Sequence, residues 1–264
     1  MSIPTRQRRR STSQLLAYAA CGKRYELERL ERVPQIKAAW TIQGTAVHGG
    51  AEFWEKSDRA AEAGEVLEVY ELIWDQEYEK AVEEWPQVHE WFRGGRKAAV
   101  KDIQDRRVLG AEQLVTYMEY SMDDRLQPWR LPDGNPASEV EFMVPFGSVW
   151  VTGKIDMIME DTETGMIVVR DLKTGNEPHE HIQLKTYAHA VEYLFGEVVE
   201  WGDYFLCKQG GPSAPVDLAV ISLDRLVERY EEMDAAEKLG YYLAAPSNEN
   251  CRFCSVQRSC PDFF

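Results

Sequence analysis

Two aspartates and one lysine, Asp156, Asp171 and Lys173, lie on neighbouring segments that the sequence predicts to be strands. Because alternate residues of a strand share a face, Asp171 and Lys173 project to one side and Leu172 to the other. If the two segments pair as a hairpin, the carboxylate of Asp156 approaches that of Asp171. The pattern therefore predicts a site in which two carboxylates and one ammonium group converge.

Such a site has the chemistry needed to hydrolyse phosphodiesters. Two close carboxylates repel each other unless a cation lies between them, and their hard oxygen atoms suit Mg²⁺ or Mn²⁺. An ion of this kind polarises a phosphodiester and lowers the pKa of a bound water that attacks phosphorus. Lys173 would orient that water or neutralise the charge that develops on the phosphate. The alternative is that the three side chains form ordinary salt bridges on an exposed hairpin.

Three further side chains are candidates for the same site. Gln183 and Tyr187 stand four residues apart on a predicted helix, so both can face the sheet together. His48 lies on an earlier predicted helix and its imidazole could coordinate a metal, although a lone histidine is more often an ordinary core or surface residue. Glu139 and Glu141 lie near the hairpin, and whether either adds a carboxylate ligand is open at this stage.

The cysteines predict a second metal site. Cys251, Cys254 and Cys260 crowd the C-terminal segment of a chain without a recognisable secretory signal, which favours metal ligands over disulfides. A four-coordinate site then needs Cys21 or Cys207, and Cys207 lies in an apolar strand typical of a buried thiol. Structural Zn²⁺ and an iron–sulfur cluster both accept four cysteines. The single C-x2-C pair with a distant fourth cysteine favours the cluster modestly.

Composition limits where nucleic acid could bind. The 264 residues are 44% hydrophobic and 28% charged, as expected for one soluble domain, and no stretch approaches the ~20 apolar residues of a membrane span. We therefore expect a cytoplasmic protein. The formal net charge of −15 means that any DNA contact must be local. Two basic runs are candidates, each of which could equally be a solvated helix face: Arg6 to Arg10, and Arg93, Arg96, Lys97, Lys101, Arg106 and Arg107.

The elements that must position these residues change character near Pro136. Helical spacing of apolar residues predicts helices over about 11–31, 46–54, 60–85 and 107–126. Beyond Pro136, alternation and turn residues predict strands at about 139–144, 148–160 and 166–173, a helix at 181–195, strands at 201–208 and 216–223, and a helix at 224–239. This order predicts an α/β or α+β sheet with helical cover.

Taken in chain order, these motifs resemble those of the RecB-like branch of the PD-(D/E)XK nucleases. The resemblance is greatest to the iron–sulfur members: the CRISPR-associated RecB-like exonucleases, the AddB nuclease domain and their phage relatives. It covers nearly the whole chain. The matching segments are Ser11-Thr12-Ser13-Gln14-Leu15 with Cys21-Gly22-Lys23-Arg24-Tyr25, Gly44-Thr45-Ala46-Val47-His48, Gly153-Lys154-Ile155-Asp156, Asp171-Leu172-Lys173-Thr174-Gly175, Gln183-Leu184-Lys185-Thr186-Tyr187, and the C-terminal C-x2-C-x5-C of Cys251, Cys254 and Cys260.

The resemblance implies one α/β nuclease domain over residues 1–264, with a restriction-endonuclease-like core and a central mixed sheet flanked by helices. Residues 136–223 would form this catalytic core, and residues 52–127 a helical insertion. It also implies residue roles. The catalytic Mg²⁺ or Mn²⁺ would be held by His48, Asp156, Asp171 and the backbone carbonyl of Leu172. Lys173 would assist the attacking water, and Gln183 and Tyr187 would support the site and touch DNA. A [4Fe-4S] cluster that joins the two ends of the chain would be bound by Cys21, Cys251, Cys254 and Cys260.

Two functions follow as hypotheses. The first is a metal-dependent deoxyribonuclease, an exonuclease that degrades DNA ends, preferably single-stranded, in recombination, repair, phage replication or CRISPR adaptation. If the chain is phage-encoded, it would act in the host cytoplasm. The second is a catalytically inactive module that binds DNA ends or proteins around a structural metal. The sequence carries no G-x-x-x-x-G-K-[ST] motif, so strand separation would need a helicase or another recombination or CRISPR partner.

Overall fold

The computed structural model describes residues 9–263, so Arg6 and Arg8 of the first basic run lie outside the described residues. Its helices are α1 (Thr12–Ala20), α2 (Gly22–Tyr25), α3 (Ala39–Lys56), α4 (Ala63–Glu84), α5 (Ala99–Asp123), α6 (Ile182–Phe195), α7 (Leu223–Lys238) and α8 (Asn248–Cys251), with a π-helix at Glu26–Leu30 and a 3-10 helix at Val88–Glu90. Its strands are β1 (Arg9–Arg10), β2 (Leu126–Pro128), β3 (Ser138–Phe146), β4 (Val149–Asp161), β5 (Ile167–Lys173), β6 (Trp201–Leu206), β7 (Gly211–Pro212) and β8 (Val216–Asp217). None of the helices in this described range is long and apolar enough to cross a bilayer.

Two predicted elements differ from the structure for local reasons. The predicted helix over 11–31 is divided, because Cys21 adopts an extended backbone (φ −164°, ψ 109°) between α1 and α2. Its start is as expected: Ser11 caps α1 and forms a capping box with Gln14. The predicted strand over 216–223 is wrong beyond Asp217, because the Ser222 hydroxyl accepts a hydrogen bond from the Arg225 N–H and begins α7.

The chain divides into two compact units, and the larger unit comprises Lys37–Val140 and Lys154–Val220. Its sheet is mixed. Strands β5 and β6 are parallel, in register from Val168 opposite Trp201 to Lys173 opposite Leu206. Strand β4 pairs with the other edge of β5 in the antiparallel sense. Three short strands complete the sheet of this unit: β2 pairs with β4, and β7 and β8 pair with β6.

Helices cover both faces of the β5–β6 pair. On one face, α6 approaches so closely that a side chain at Gly202 would lie 3.3 Å from Leu184 and 3.0 Å from the Val169 carbonyl oxygen. On the other face, the Tyr117 ring of α5 meets the Phe205 ring edge-on, with centroids 4.9 Å apart. The alternation of β5 therefore turns its odd-numbered residues toward α6 and its even-numbered residues toward α5.

Helices α3, α4 and α5 pack together as the helical layer that the sequence predicted before Pro136. Their contacts combine buried apolar residues with internal hydrogen bonds. The Trp54 indole N–H donates to Ser121 Oγ at 2.8 Å, and the Tyr70 hydroxyl donates to the Arg107 carbonyl at 2.7 Å. Because these buried polar groups have partners, the layer is held in one arrangement rather than by apolar contact alone.

The smaller unit comprises residues 9–36, Glu141–Gly153 and 221–263. Within it, β1 pairs in parallel with β4, with Arg9 opposite Trp150 and Arg10 opposite Val151. Arg10 is only 3% exposed, and its guanidinium forms ion pairs with Asp234 and Glu237 of α7. The prediction that Arg10 belongs to a DNA-binding patch is therefore wrong, because its charge is neutralised inside the protein.

Arg170 forms the corresponding buried ion-pair cluster of the larger unit. It is 2% exposed, and its Nε and Nη2 atoms each donate to Asp203 at 2.7 Å. Its Nη1 atom pairs with Asp124 at the end of α5. Burial works to lower the pKa of Arg170, but the two carboxylates outweigh it and raise the pKa above its ordinary value. The cluster therefore fixes β5 to β6 and to the helical layer.

We predict that Arg170→Leu lowers the free energy of unfolding by about 3–5 kcal/mol, because two carboxylates would be left buried without their cation. Urea denaturation followed by circular dichroism measures the change. The exposed ion pair of Lys101 with Asp105 provides the control, and Lys101→Ala should leave the unfolding midpoint unchanged. Equal midpoints for Arg170→Leu and the unmodified protein would contradict this role.

Candidate active site

The two predicted carboxylates meet within the larger unit. Asp171 is fully buried and Asp156 is 8% exposed. The Tyr187 hydroxyl oxygen lies 3.2 Å from Asp156 Oδ1 and 3.4 Å from Asp171 Oδ1, so it stands between the two carboxylates. One hydroxyl hydrogen can serve only one of them at a time. The Tyr187 hydroxyl alone therefore cannot satisfy both carboxylates.

The backbone of β5 fixes the orientation of Asp156. The Leu172 N–H donates to Asp156 Oδ2 at 3.0 Å, across from β4 to β5. The Leu172 side chain is 1% exposed and points to the opposite face of the strand. The structure thus connects Leu172 to the site through its backbone N–H, while a role of its carbonyl as a metal ligand stays a prediction of the family resemblance.

Lys173, Gln183 and Tyr187 form a chain of hydrogen bonds beside the carboxylates. Lys173 Nζ lies 2.6 Å from Asp171 Oδ2 and donates to Gln183 Oε1 at 3.0 Å. The Gln183 amide then donates to the Tyr187 hydroxyl at 2.7 Å. Because Gln183 and Tyr187 are one helical turn apart on α6, one helix positions both.

His48 stands on the open side of the same carboxylates. Its Nδ1 atom lies 3.4 Å from Asp156 Oδ2 and 3.6 Å from Glu139 Oε1. The ligand atoms of His48, Glu139 and Asp156 all lie within 4.8 Å of one another, and no other such group of three occurs among residues 9–263. An imidazole nitrogen with carboxylate oxygens fits a divalent cation such as Mn²⁺ or Mg²⁺.

Of the two glutamates near the hairpin, Glu139 is the one whose carboxylate lies with His48 and Asp156. Its carboxylate joins the cluster and lies 3.8 Å from Lys154 Nζ, whereas Glu141 belongs to the smaller unit. Glu139 has a φ of +51°, a left-handed backbone conformation that a residue with a side chain adopts at a cost of about 1–3 kcal/mol. Period-2 alternation would put Glu139 and Glu141 on one face, so no sequence signal distinguished them.

A cavity of about 560 Å³ opens onto this cluster. Its lining consists of residues from α3, α4, β3 and β4: Gly44, Thr45, His48, Gly49, Glu52, Ile73, Glu139, Lys154 and Asp156. Gly49 of α3 lies against α4 in this lining, because a side chain there would come within 2.2 Å of Ile73, and a side chain at Gly44 would lie 3.5 Å from the Thr174 hydroxyl. The buried carboxylates are therefore reachable from solvent on the His48 side.

The electrostatics of the site favour a bound cation. Burial, together with the nearby Asp156 charge, raises the pKa of Asp171 to about 7, although Lys173 and His48 act to lower it. Burial works to lower the pKa of His48, but the carboxylates of Asp156, Glu139 and Asp171 outweigh it and raise that pKa to about 9. Burial and the same aspartates raise the pKa of Tyr187 well above 10, so its hydroxyl keeps its proton.

The four predicted cluster cysteines all belong to the smaller unit. Cys254 is 6% exposed and packs with Leu27 and Val256, and Cys260 packs against the same group. The Asn250 side chain donates to the carbonyls of Ala20 and Ala245 at 2.9 Å, which ties the residue before Cys251 to the residue before Cys21. The Cys21 sulfur accepts the Ala245 N–H at 3.4 Å.

Cys207 is separated from this set by its place in the fold. It follows β6 in the larger unit and is 5% exposed. Burial raises the pKa of its thiol to about 12, so it remains protonated. Cys21 belongs to the same unit as Cys251, Cys254 and Cys260, which makes it the better candidate for the fourth ligand.

Comparisons with known proteins show what the chain is similar to. A family model for the PD-(D/E)XK nuclease superfamily matches residues 9–261. The Gene 69 protein of Mycobacterium phage L5 is 35% identical over 283 residues, covering 96% of each chain. The Gene 69 protein of Mycobacterium phage D29 is 32% identical over 262 residues, covering 96% of this chain and 97% of the relative. The solved structure of SSO0001 is 14% identical over 96% of each chain, with a TM-score of 0.36.

We predict that the affinity for Mn²⁺ rises between pH 6 and pH 9. At pH 6, Asp171 with its pKa of about 7 and His48 with its pKa of about 9 both carry protons, which compete with the cation. Each displaced proton should steepen the rise by roughly tenfold per pH unit. Isothermal titration calorimetry in buffers of different ionisation enthalpy measures affinity and proton release together.

The exposed His179 serves as the control for this titration. His179→Gln should keep the pH dependence, whereas Asp171→Asn should flatten it near pH 7. An Mn²⁺ affinity that does not change with pH would show that neither group binds the cation.

Proposed function

The chain belongs to the PD-(D/E)XK nuclease superfamily, and from this premise we propose that it is a Mg²⁺- or Mn²⁺-dependent deoxyribonuclease. The observation that carries the proposal is the Tyr187 hydroxyl held between two buried carboxylates, with Lys173 Nζ 2.6 Å from one of them. Burying two neighbouring aspartates costs free energy, and a hairpin with only a structural role gains nothing that would offset this cost.

The proposed ligands of the cation are His48, Asp156, Asp171 and the backbone carbonyl of Leu172, as the family resemblance implies, with the Glu139 carboxylate as a further ligand beside His48 and Asp156. When bound, the cation polarises the scissile phosphodiester and lowers the pKa of a water molecule. The residues of the chain prepare this site beforehand. The Leu172 N–H orients the Asp156 carboxylate, and the Tyr187 hydroxyl can donate a hydrogen bond to either aspartate.

Lys173, held by Gln183, would act on the attacking water and on the phosphate. Gln183 accepts a hydrogen bond from Lys173 and donates one to Tyr187, so it holds the ammonium group beside Asp171. From this position Lys173 would orient the attacking water and neutralise charge that develops on the phosphate oxygens. Gln183 and Tyr187 thus act as positioning residues, and in our proposal they also touch DNA.

We propose further that the substrate is a DNA end, preferably single-stranded, so that the enzyme is an exonuclease. Its motifs resemble those of iron–sulfur exonucleases, and relatives from two mycobacteriophages match nearly its full length. These observations support a role in phage replication or recombination in the host cytoplasm, with repair and CRISPR adaptation as other settings. A helicase partner would supply single strands.

The four cysteines of the smaller unit are proposed to bind a [4Fe-4S] cluster. Cys21 and Cys251 each lie next to a residue of the Asn250 hydrogen-bond bridge, and Cys254 and Cys260 pack in one apolar group. Thiolates are the usual ligands of such clusters, and apolar surroundings limit their exposure to solvent. The cluster would link α1 to the C-terminal segment and so restrict the unfolded chain.

We predict that Asp171→Asn and Lys173→Ala each lower Mn²⁺-dependent cleavage of single-stranded DNA at least about 100-fold, because each removes charge that acts in the transition state. The assay follows end-labelled linear oligonucleotides on a sequencing gel. Circular single strands separate the modes of attack, since an exonuclease leaves them intact.

Charge-matched variants outside the site are the controls for cleavage. Asp105→Asn and Lys80→Ala alter exposed residues of α5 and α4 and should keep full activity. Full activity in purified Asp171→Asn would refute the mechanism. If the unmodified protein cleaves neither single-stranded, duplex nor flapped DNA, the chain is instead a module that binds DNA ends or proteins.

We predict that anaerobically purified protein is brown and holds about four iron and four sulfide per chain, as a [4Fe-4S] cluster requires. Cys21→Ala and Cys254→Ala should lose the colour and the iron. Cys207→Ala, which removes a buried thiol of the larger unit, should keep both. Metal analysis decides the alternative, because a colourless protein with one zinc per chain would exclude the cluster.

A further inference from the structure

The basic run from Arg93 to Arg107 divides into two groups in the structure. Four of its six cations have acidic partners: Lys97 and Lys101 pair with Asp105, Arg106 pairs with Asp102, and Arg107 pairs with Glu71 and Asp75. Arg93 and Arg96 are exposed and have no ion-pair or hydrogen-bond partner among the residues that the structure describes. Charge that no protein group neutralises is thus concentrated in the loop between α4 and α5.

An aromatic stack contains Phe92, the residue before Arg93 in the chain. The Phe92 and Trp40 rings are stacked, with centroids 6.3 Å apart and planes 17° from parallel, and both are partly exposed. The Arg106 guanidinium lies 5.3 Å from the centroid of the Trp40 ring. Cations interleaved with partly exposed aromatic rings are the combination by which proteins hold single-stranded nucleic acid, with the rings stacking on bases.

The loop that carries the two arginines is fixed at its base and open at Gly95. The Phe92 N–H donates to the Lys37 carbonyl at 2.8 Å, and the buried Trp91 indole donates to the Trp85 carbonyl at 3.0 Å. Gly94 lies against α5, since a side chain there would come within 3.1 Å of the Arg106 guanidinium, whereas a side chain at Gly95 would meet no described atom within 4 Å. Gly95 also has a φ of +74° that favours glycine. Arg93 and Arg96 therefore flank a turn that a strand can approach at Gly95.

Helix α3 aligns this surface with the candidate active site. Trp40, Gly44 and His48 are spaced by four residues and so lie along one side of α3. At a rise of about 1.5 Å per residue, Trp40 is about 12 Å from His48 along the helix axis. That distance corresponds to roughly three or four nucleotides at the spacing of a stacked strand, which is about 3.4 Å. Gly44, which has no side chain, lies between them at the cavity lining.

We infer that Trp40, Phe92, Arg93 and Arg96 form a binding surface for single-stranded DNA that leads into the site at His48. The direction of the strand rests on the proposed nuclease function, but binding to this surface needs no catalysis. The surface also gives a chain with a net charge of −15 a local site for a polyanion, since Arg93 and Arg96 are the two cations of this run without an acidic partner among the described residues.

The test measures binding of a dye-labelled oligothymidylate by fluorescence anisotropy in EDTA, where no cleavage occurs. Arg93→Ala/Arg96→Ala should bind about tenfold more weakly at low salt. Its slope of log affinity against log salt should be smaller by about 1.4, as expected when two phosphate contacts to a single strand are lost. Arg93→Lys/Arg96→Lys should retain most of the salt slope, because it keeps both charges.

Phe92→Leu tests the stacking separately, since leucine fills the space against Trp40 but offers no ring to a base. We expect at least about fivefold weaker binding with an unchanged salt slope. Arg29→Ala/Arg225→Ala is the control, because both arginines are exposed residues of the smaller unit. Thermal denaturation confirms that each variant is folded.

Unchanged affinity and salt slope in Arg93→Ala/Arg96→Ala would overturn the inference, as would a loss confined to duplex DNA. The outcome is separable from the fate of the proposed function. If Asp171→Asn abolishes cleavage while Arg93→Ala/Arg96→Ala binds DNA normally, the proposed nuclease function is supported and the proposed binding surface is contradicted. If Arg93→Ala/Arg96→Ala loses binding but the unmodified protein never cleaves DNA, the binding surface is supported and the nuclease function is contradicted.

Discussion

The carboxylates of Asp156 and Asp171 are buried side by side, and the groups around them offset the repulsion between them. Like charges are tolerated in an interior only where partners surround them. Here the partners come from three elements: Lys173 from β5, Tyr187 from α6 and His48 from α3. Burial and the charge of Asp156 keep the pKa of Asp171 raised at about 7 despite these partners, and a cation bound beside the two carboxylates would lower it.

The two faces of strand β5 have different roles: the face toward α5 carries stabilising ion pairs, and the face toward α6 carries residues of the candidate site. Toward α5, Arg170 is held by Asp203 of the neighbouring strand and by Asp124. Toward α6, the next residue, Asp171, belongs to the site. The ion pairs on the first face fix the strand so that its second face can hold charges that would otherwise move apart. The close approach of α6, permitted at Gly202, completes the arrangement.

Local sequence patterns predicted many of the strands and helices and several residues of the candidate site. The alternation of β5 and the four-residue spacing of Gln183 and Tyr187 are set by backbone periodicity, so the sequence alone indicated which side chains share a face. The rest depended on contacts distant in the chain. Arg10 looked like surface charge because its acidic partners lie more than two hundred residues away. Glu139 could not be told from Glu141, because a positive φ at one residue overrides the alternation. Cys21 divides a helix that its neighbours would otherwise continue.

The alternation of side chains along β5 also determines where the chain tolerates insertions and deletions of residues. Inserting one residue within Ile167–Lys173 would exchange the two faces, placing an arginine among the site groups and an aspartate against α5. The turn before β5 has no such constraint. Asp161 closes it by accepting the N–H groups of Glu163 and Thr164, and no site residue lies in it. Length variation during evolution can therefore accumulate in this turn, while β5 can change by substitution but not in length.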